Sequence, residues 1–212
     1  VLEIHEAVLQ LLGRTWLDVR PMPGEWSSRG DLSGLKDSLA ALIRSEFGAG
    51  RLWGVKDPRM CRLLPLWFEV LAELNIEAKV LLCLRHPDEV VESLGNRDGL
   101  EPDGAFLLWL WHVLESEEAT RGCNRTVVIY PSFLMDWGSE ARRISNELGI
   151  EWTVPFDEAR EDIEEFLDNR LRHCRRESSF PLTELAEIAH GVYESGRQAQ
   201  FRDVEDLSAR FY

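Results

Sequence analysis

The run Lys79–Leu84 (KVLLCL) constrains this chain more than any other stretch. An uninterrupted apolar run of this length, stopped by Arg85 and followed at once by Pro87-Asp88-Glu89, predicts a strand buried on both faces that feeds a helix with proline and acids in its first turn. Two similar runs predict further strands, Leu52–Val55 and Thr126–Tyr130 (TVVIY). Between them the apolar period lengthens to that of a helix. Leu63, Leu64, Trp67, Phe68, Leu71 and Leu74 mark one amphipathic helix, and Pro102–Arg121 predicts a long one. Strand and helix alternate through the centre, the pattern of a parallel sheet joined by crossovers, with helices on both faces.

The flanks read as helical. Val1–Leu12 places Ile4, Val8, Leu11 and Leu12 on one face and ends at Gly13. Arg14–Leu32, with Pro21, Pro23, Gly24 and Gly30, reads as a long loop. Ser33 opens a helix with Leu35, Leu39, Leu42, Ile43 and Phe47 inward, Ser139–Leu148 is a helix closed by Gly149, and Asp157–Tyr212 reads as helical. No repeat or linker divides the 212 residues, so one domain is expected.

Composition narrows the function classes. Apolar residues make up 44 % and charged residues 29 %, the balance of a folded globular chain. The formal charge of −14 speaks against a nucleic-acid binder, while a local basic cluster can still hold an anionic ligand. No apolar stretch is long enough to span a membrane. Cys61, Cys83, Cys123 and Cys174 are widely spaced, without a metal-binding pattern, and suit reduced thiols in the cytoplasm. Cys61 and Cys83 read as small buried hydrophobes.

In a parallel sheet, ligands bind at the carboxyl ends of the strands. The predicted ends carry Lys56-Asp57, Arg85-His86 and Tyr130. Arg85 aims a forked donor beside a helix N-terminus, which suits an anion, with the Ser93 hydroxyl two turns on; alternatively it pairs with Asp88 or Glu89. Lys56 is a compact charge suited to a transferring group, and Asp57 could accept a proton; alternatively Lys56, Asp57 and Arg59 form a surface network. His112 interrupts an apolar helix as a core residue or a catalyst. His173 lies in a basic knot, Arg172–Arg176, as a solvated helix end or a phosphate contact. His86 reads as an N-cap neighbour.

Taken together these segments resemble the sulfotransferases that use 3′-phosphoadenosine 5′-phosphosulfate (PAPS), especially bacterial members. RLWGVKDPRMCRLLPLWFEVL is similar to their lysine-bearing strand and following helix, KVLLCLRHPDEVVESL to their 3′-phosphate motif, and TVVIYPSFLMDW to their third strand. The resemblance implies an α/β, P-loop-like three-layer fold with a helical C-terminal part. It implies transfer of a sulfuryl group from PAPS to a hydroxyl or amine of a glycan, lipid or small molecule, leaving 3′-phosphoadenosine 5′-phosphate (PAP) and needing no metal. Arg85 and Ser93 would grip the 3′-phosphate, Tyr130 the adenine, and Lys56 the bridging oxygen; Asp57, His112 or a residue outside this chain would be the base. Three departures stand beside it. Pro58 occupies the position of a familiar histidine, Pro131-Ser132 replaces an acidic pair, and no glycine-rich phosphosulfate loop precedes the Lys56 strand. The chain is therefore expected to be a fragment lacking that strand and loop. A P-loop-type kinase and a non-catalytic module of the same fold are the alternatives.

Overall fold

The computed structural model describes residues 1–48, 52–167 and 180–198, and the basic segment around His173 lies outside them. The chain groups into two compact units, one of Val1–Lys79 with Trp111–Cys123, the other of Val80–Leu110 with Asn124–Tyr212. The described residues are mostly helical, with one two-stranded parallel sheet. Among them no helix is long and apolar enough to cross a membrane.

The first unit is built on α1 (Leu2–Leu11), α2 (Ser33–Phe47) and α3 (Met60–Glu73), with the end of α5 (Pro102–Ala119). The predicted inward faces hold in part: Val8 of α1, Leu39 and Ile43 of α2, and Leu63 and Trp67 of α3 share one core with Leu9, Leu66 and Val70, while Leu11 is exposed. After α1 the chain turns through Gly13 at φ +65°, and the Arg14 N–H reaches back to the Leu9 carbonyl, the paired arrangement that closes a helix on glycine. The loop that follows, broken by short 3₁₀ turns at Trp26–Ser28 and Gly30–Leu32, is pinned by a buried arginine. Arg62 donates to both carboxylate oxygens of Glu115, at 2.6 and 3.1 Å, and to the Asp18 carbonyl at 2.6 Å. An arginine only 2 % exposed is tolerable because its fork is so fully met. Pro65 interrupts α3 and has no N–H for the Cys61 carbonyl; the Ser116 hydroxyl lies 3.4 Å from that oxygen.

The second unit holds β1 (Val80–Leu84), α4 (Pro87–Asp98), the start of α5, β2 (Arg125–Ile129), α6 (Tyr130–Met135), α7 (Trp137–Leu148), α8 (Phe156–Phe166) and α9 (Glu184–Arg197). The strands pair in parallel with Val80 opposite Arg125 and Leu84 opposite Ile129. Helix α9 packs on both strands and on α4, and α7 packs on β2. Arg143 of α7 ties down the β2 backbone by donating to the Val127 carbonyl at 2.8 Å.

Several expectations are corrected here. Leu52–Val55 forms no strand: a strand exists only as part of a ladder, and no described segment pairs with it. The β1 run is buried on one face only, with Leu82 and Leu84 covered and Leu81 and Cys83 exposed. Cys83 is thus a surface residue and not a buried hydrophobe, while Cys61 is half-buried. The third predicted strand stops at Ile129, because Pro131 fixes a helical φ and supplies no N–H, so Tyr130 already opens α6. The helix over 33–47 begins as predicted, but Ser33 makes no side-chain cap; Leu32 holds that position.

Candidate functional site

The carboxyl ends of β1 and β2 bring two of the predicted site residues together. Because Leu84 and Ile129 stand opposite each other, Arg85 and Tyr130 leave the sheet side by side. The Arg85 guanidinium carbon lies 5.5 Å from the centre of the Tyr130 ring, within cation–π range. The Arg85 side chain is one-third exposed, and its Nε donates to Glu89 at 2.8 Å, one turn into α4. Its carbonyl accepts the indole N–H of Trp109 at 3.2 Å, which fixes the backbone where strand becomes helix. Of the two sequence readings of Arg85, the pairing with Glu89 is present, and the guanidinium also stands beside the Tyr130 ring at the strand end. Ser93 lies exposed on α4, two turns beyond its start.

The N-terminus of α4 is built from the next residues. His86 is the N-cap, and its Nδ1 accepts the Asp88 N–H at 3.3 Å. Pro87 follows at the first helical position, and Asp88 and Glu89 place carboxylates at the positive end of the dipole. Asp88 is buried, and its Oδ1 lies 2.7 Å from Nε2 of His190 on α9. The rings of His86 and His190 are 5.3 Å apart, and Tyr193 stands edge-on to His86 at 4.9 Å.

Lys56, Asp57 and His112 belong to the first unit. Lys56 is exposed, and His112 is half-buried on α5, its carbonyl accepting the Ser116 hydroxyl at 2.6 Å. Asp57 works mainly as a turn residue, accepting the Arg59 N–H at 2.8 Å with the Arg59 guanidinium at 3.4 Å. Arg59 also pairs with Glu6. Burial pushes the Asp57 carboxyl up, but the Arg59 N–H, the adjacent His5 ring and the Arg59 charge together hold it below the usual aspartate value. A carboxylate held this way is a weak proton acceptor.

Sequence reasoning passed over His5. It is fully buried on α1, and its Nε2 accepts the indole N–H of Trp67 at 2.8 Å. The proton of the neutral ring therefore sits on Nδ1, which lies 3.4 Å from Asp57 without hydrogen-bond alignment. Burial lowers the His5 pKa, against the pull of Asp57. His190 was equally hidden, since its partner Asp88 is 102 residues away. His173 falls outside the described residues. A scan against protein-family models and searches of curated proteins and of solved structures find no match.

Proposed function

We propose that this chain is a sulfotransferase-like protein that binds PAPS and moves its sulfuryl group to a hydroxyl or amine of a glycan, lipid or small-molecule acceptor. The observation that carries the reading is the pairing of Arg85 with Tyr130 at adjacent strand ends, with Ser93 on the helix that Arg85 feeds. This is where the resemblance puts the 3′-phosphate cation, the adenine-facing aromatic and the phosphate hydroxyl. A guanidinium backed by an aromatic ring beside a helix N-terminus suits a nucleotide phosphate. The reading extends the two-stranded sheet to a three-layer, P-loop-like α/β domain, and places the protein in the cytoplasm on its widely spaced cysteines.

In the reaction the acceptor oxygen attacks sulfur in line as the bond to the 5′-phosphate oxygen breaks, and PAP leaves. Positioning and charge neutralisation do most of the work in such transfers. Lys56 is assigned the charge on the bridging oxygen. For the base, the low proton affinity of Asp57 favours His112 or a group outside this chain. A metal is not assigned a role in the transfer.

A second reading, a nucleotide-binding module without activity, is favoured by the engagement of Asp57 in its turn and of Arg85 with Glu89. Calorimetry with PAP and with ATP tests nucleotide binding, and a radiolabelled-sulfate assay separates enzyme from module. PAP binding without ATP binding supports the proposal, and Arg85→Ala should then weaken PAP binding by roughly ten- to a hundredfold. Equal binding by the variant would remove Arg85 from the site; preferential ATP binding would turn the reading toward a kinase.

A further inference from the structure

We propose that His86, Asp88 and His190 form a binding site for a divalent first-row transition ion, of which zinc is the representative. The site is independent of the nucleotide reading and takes no part in the transfer described above. One ligand atom from each residue, a ring nitrogen of each histidine and a carboxylate oxygen of Asp88, lies within 4.8 Å of both others. Two imidazoles and one carboxylate are a donor set for zinc, iron or copper and a poor one for calcium or magnesium, which take oxygen.

The geometry is close to what an ion requires. Metal–ligand distances of about 2.0–2.2 Å put neighbouring tetrahedral donors roughly 3.4 Å apart. His190 Nε2 lies 2.7 Å from Asp88 Oδ1 and His86 Nδ1 lies 3.9 Å from Asp88 Oδ2, so the two oxygens of one carboxylate face the two rings at separations that straddle that value. Small side-chain rotations therefore bring all three into reach. The lone pair of His86 is already on the correct nitrogen, since Nδ1 accepts the Asp88 N–H and so carries no proton. That cap is long, at 3.3 Å, and is easily exchanged for a coordinate bond. At His190 the ion would enter between Nε2 and the Asp88 carboxylate, now 2.7 Å apart.

The rings are held in place by their surroundings. Tyr193 meets His86 edge-on, and Phe106 stands perpendicular to His190 at 6.2 Å between centres. Asp88 is only 8 % exposed, so its charge asks for a nearby cation. Both histidine side chains keep about a third of their surface open, which leaves an approach for the ion and a position for a water or an external ligand. The donors join the α4 N-terminus to α9, so the ion would clamp these two helices together.

The test uses the full 212-residue chain after chelator treatment, titrated with zinc by calorimetry and with cobalt(II) by visible absorption. One equivalent of zinc at micromolar affinity or better, with the strong visible bands of four- or five-coordinate cobalt, is the expected result. His86→Ala and His190→Ala should each weaken zinc binding by about a hundredfold. His190→Gln guards against mere unfolding, because its amide reaches the position of Nε2 and can donate to Asp88 while it cannot replace the imidazole as a ligand. That variant should melt as the parent does without metal and lose the cobalt bands. Zinc affinity and cobalt bands unchanged in the His86 and His190 variants, or no zinc binding by the parent, would overturn the proposal.

Discussion

Glu89 governs how much of the Arg85 charge a ligand meets. It holds Nε of Arg85 from one turn into α4, in a partly exposed pair whose contribution to stability is small. Its removal therefore acts mainly on binding: Glu89→Gln should tighten PAP binding by roughly two- to fivefold at low salt, with the gain fading as salt rises. Weaker binding in calorimetry would instead make Glu89 the group that orients the arginine. His5 sets a different dependence. Its pKa is lowered by burial, so the unfolded chain takes up a proton at His5 before the folded one does. Stability is then undiminished above the unfolded value near 6.5 and falls as pH drops from there toward the folded value; Asp57, also lowered, adds a second loss below about 3.8. Urea unfolding between pH 8 and 5 should show this slope in the parent and a flatter one in His5→Gln, whose carbonyl can still receive the Trp67 indole. Equal slopes would mean that His5 titrates alike in both states. Neither His5 nor His190 was legible in the sequence, because a lone histidine on a helix gives no sign of a partner 62 or 102 residues away. Arg85 and Tyr130 were legible, because each ends an apolar run whose length and composition mark it as a strand.

Helices announced themselves more clearly than strands did. The apolar period located α2 and α3, whose inward residues line the core. A helix satisfies its backbone from its own sequence, whereas a strand depends on a neighbour that local composition does not name. Leu52–Val55 has strand-like composition and no ladder, and the apolar letters of β1 did not reveal that one of its faces is open. Turn chemistry was more reliable. Gly149 closes α7 at φ +61°, and its N–H bonds to the Ser145 carbonyl. Gly149→Ala should lower stability by about 1 kcal/mol, read as a shift in the urea midpoint with an unchanged slope. No change would show that the chain leaves α7 by another turn. Pro131 was legible in the sequence, and its effect is physical: it ends β2 and starts α6, so that Tyr130 stands at the junction.

The whole chain has a formal charge of −14, yet an arginine and an aromatic meet at the one described pair of strand ends. That contrast between net and local charge is why a composition that speaks against a nucleic-acid binder still leaves room for a nucleotide. The parallel register of β1 and β2 also has a kinetic consequence. Partners such as Val80 and Arg125 are about 45 positions apart, and closing a flexible loop of that size costs about 3 kcal/mol of chain entropy before the first ladder bond forms. If α4 and α5 form early, the crossover is shorter and stiffer, and the search narrows. Gly104, in the first turn of α5, has room for a methyl group, with its nearest neighbour an Leu100 side-chain atom at 3.8 Å. Gly104→Ala should stabilise the protein by about 0.5–1 kcal/mol, and stopped-flow refolding should show that gain as faster folding. A gain confined to slower unfolding would mean that the strands find each other before the helix between them is made. On that outcome the folding time would be set less by the helices than by the five residues on each side of the described ladder.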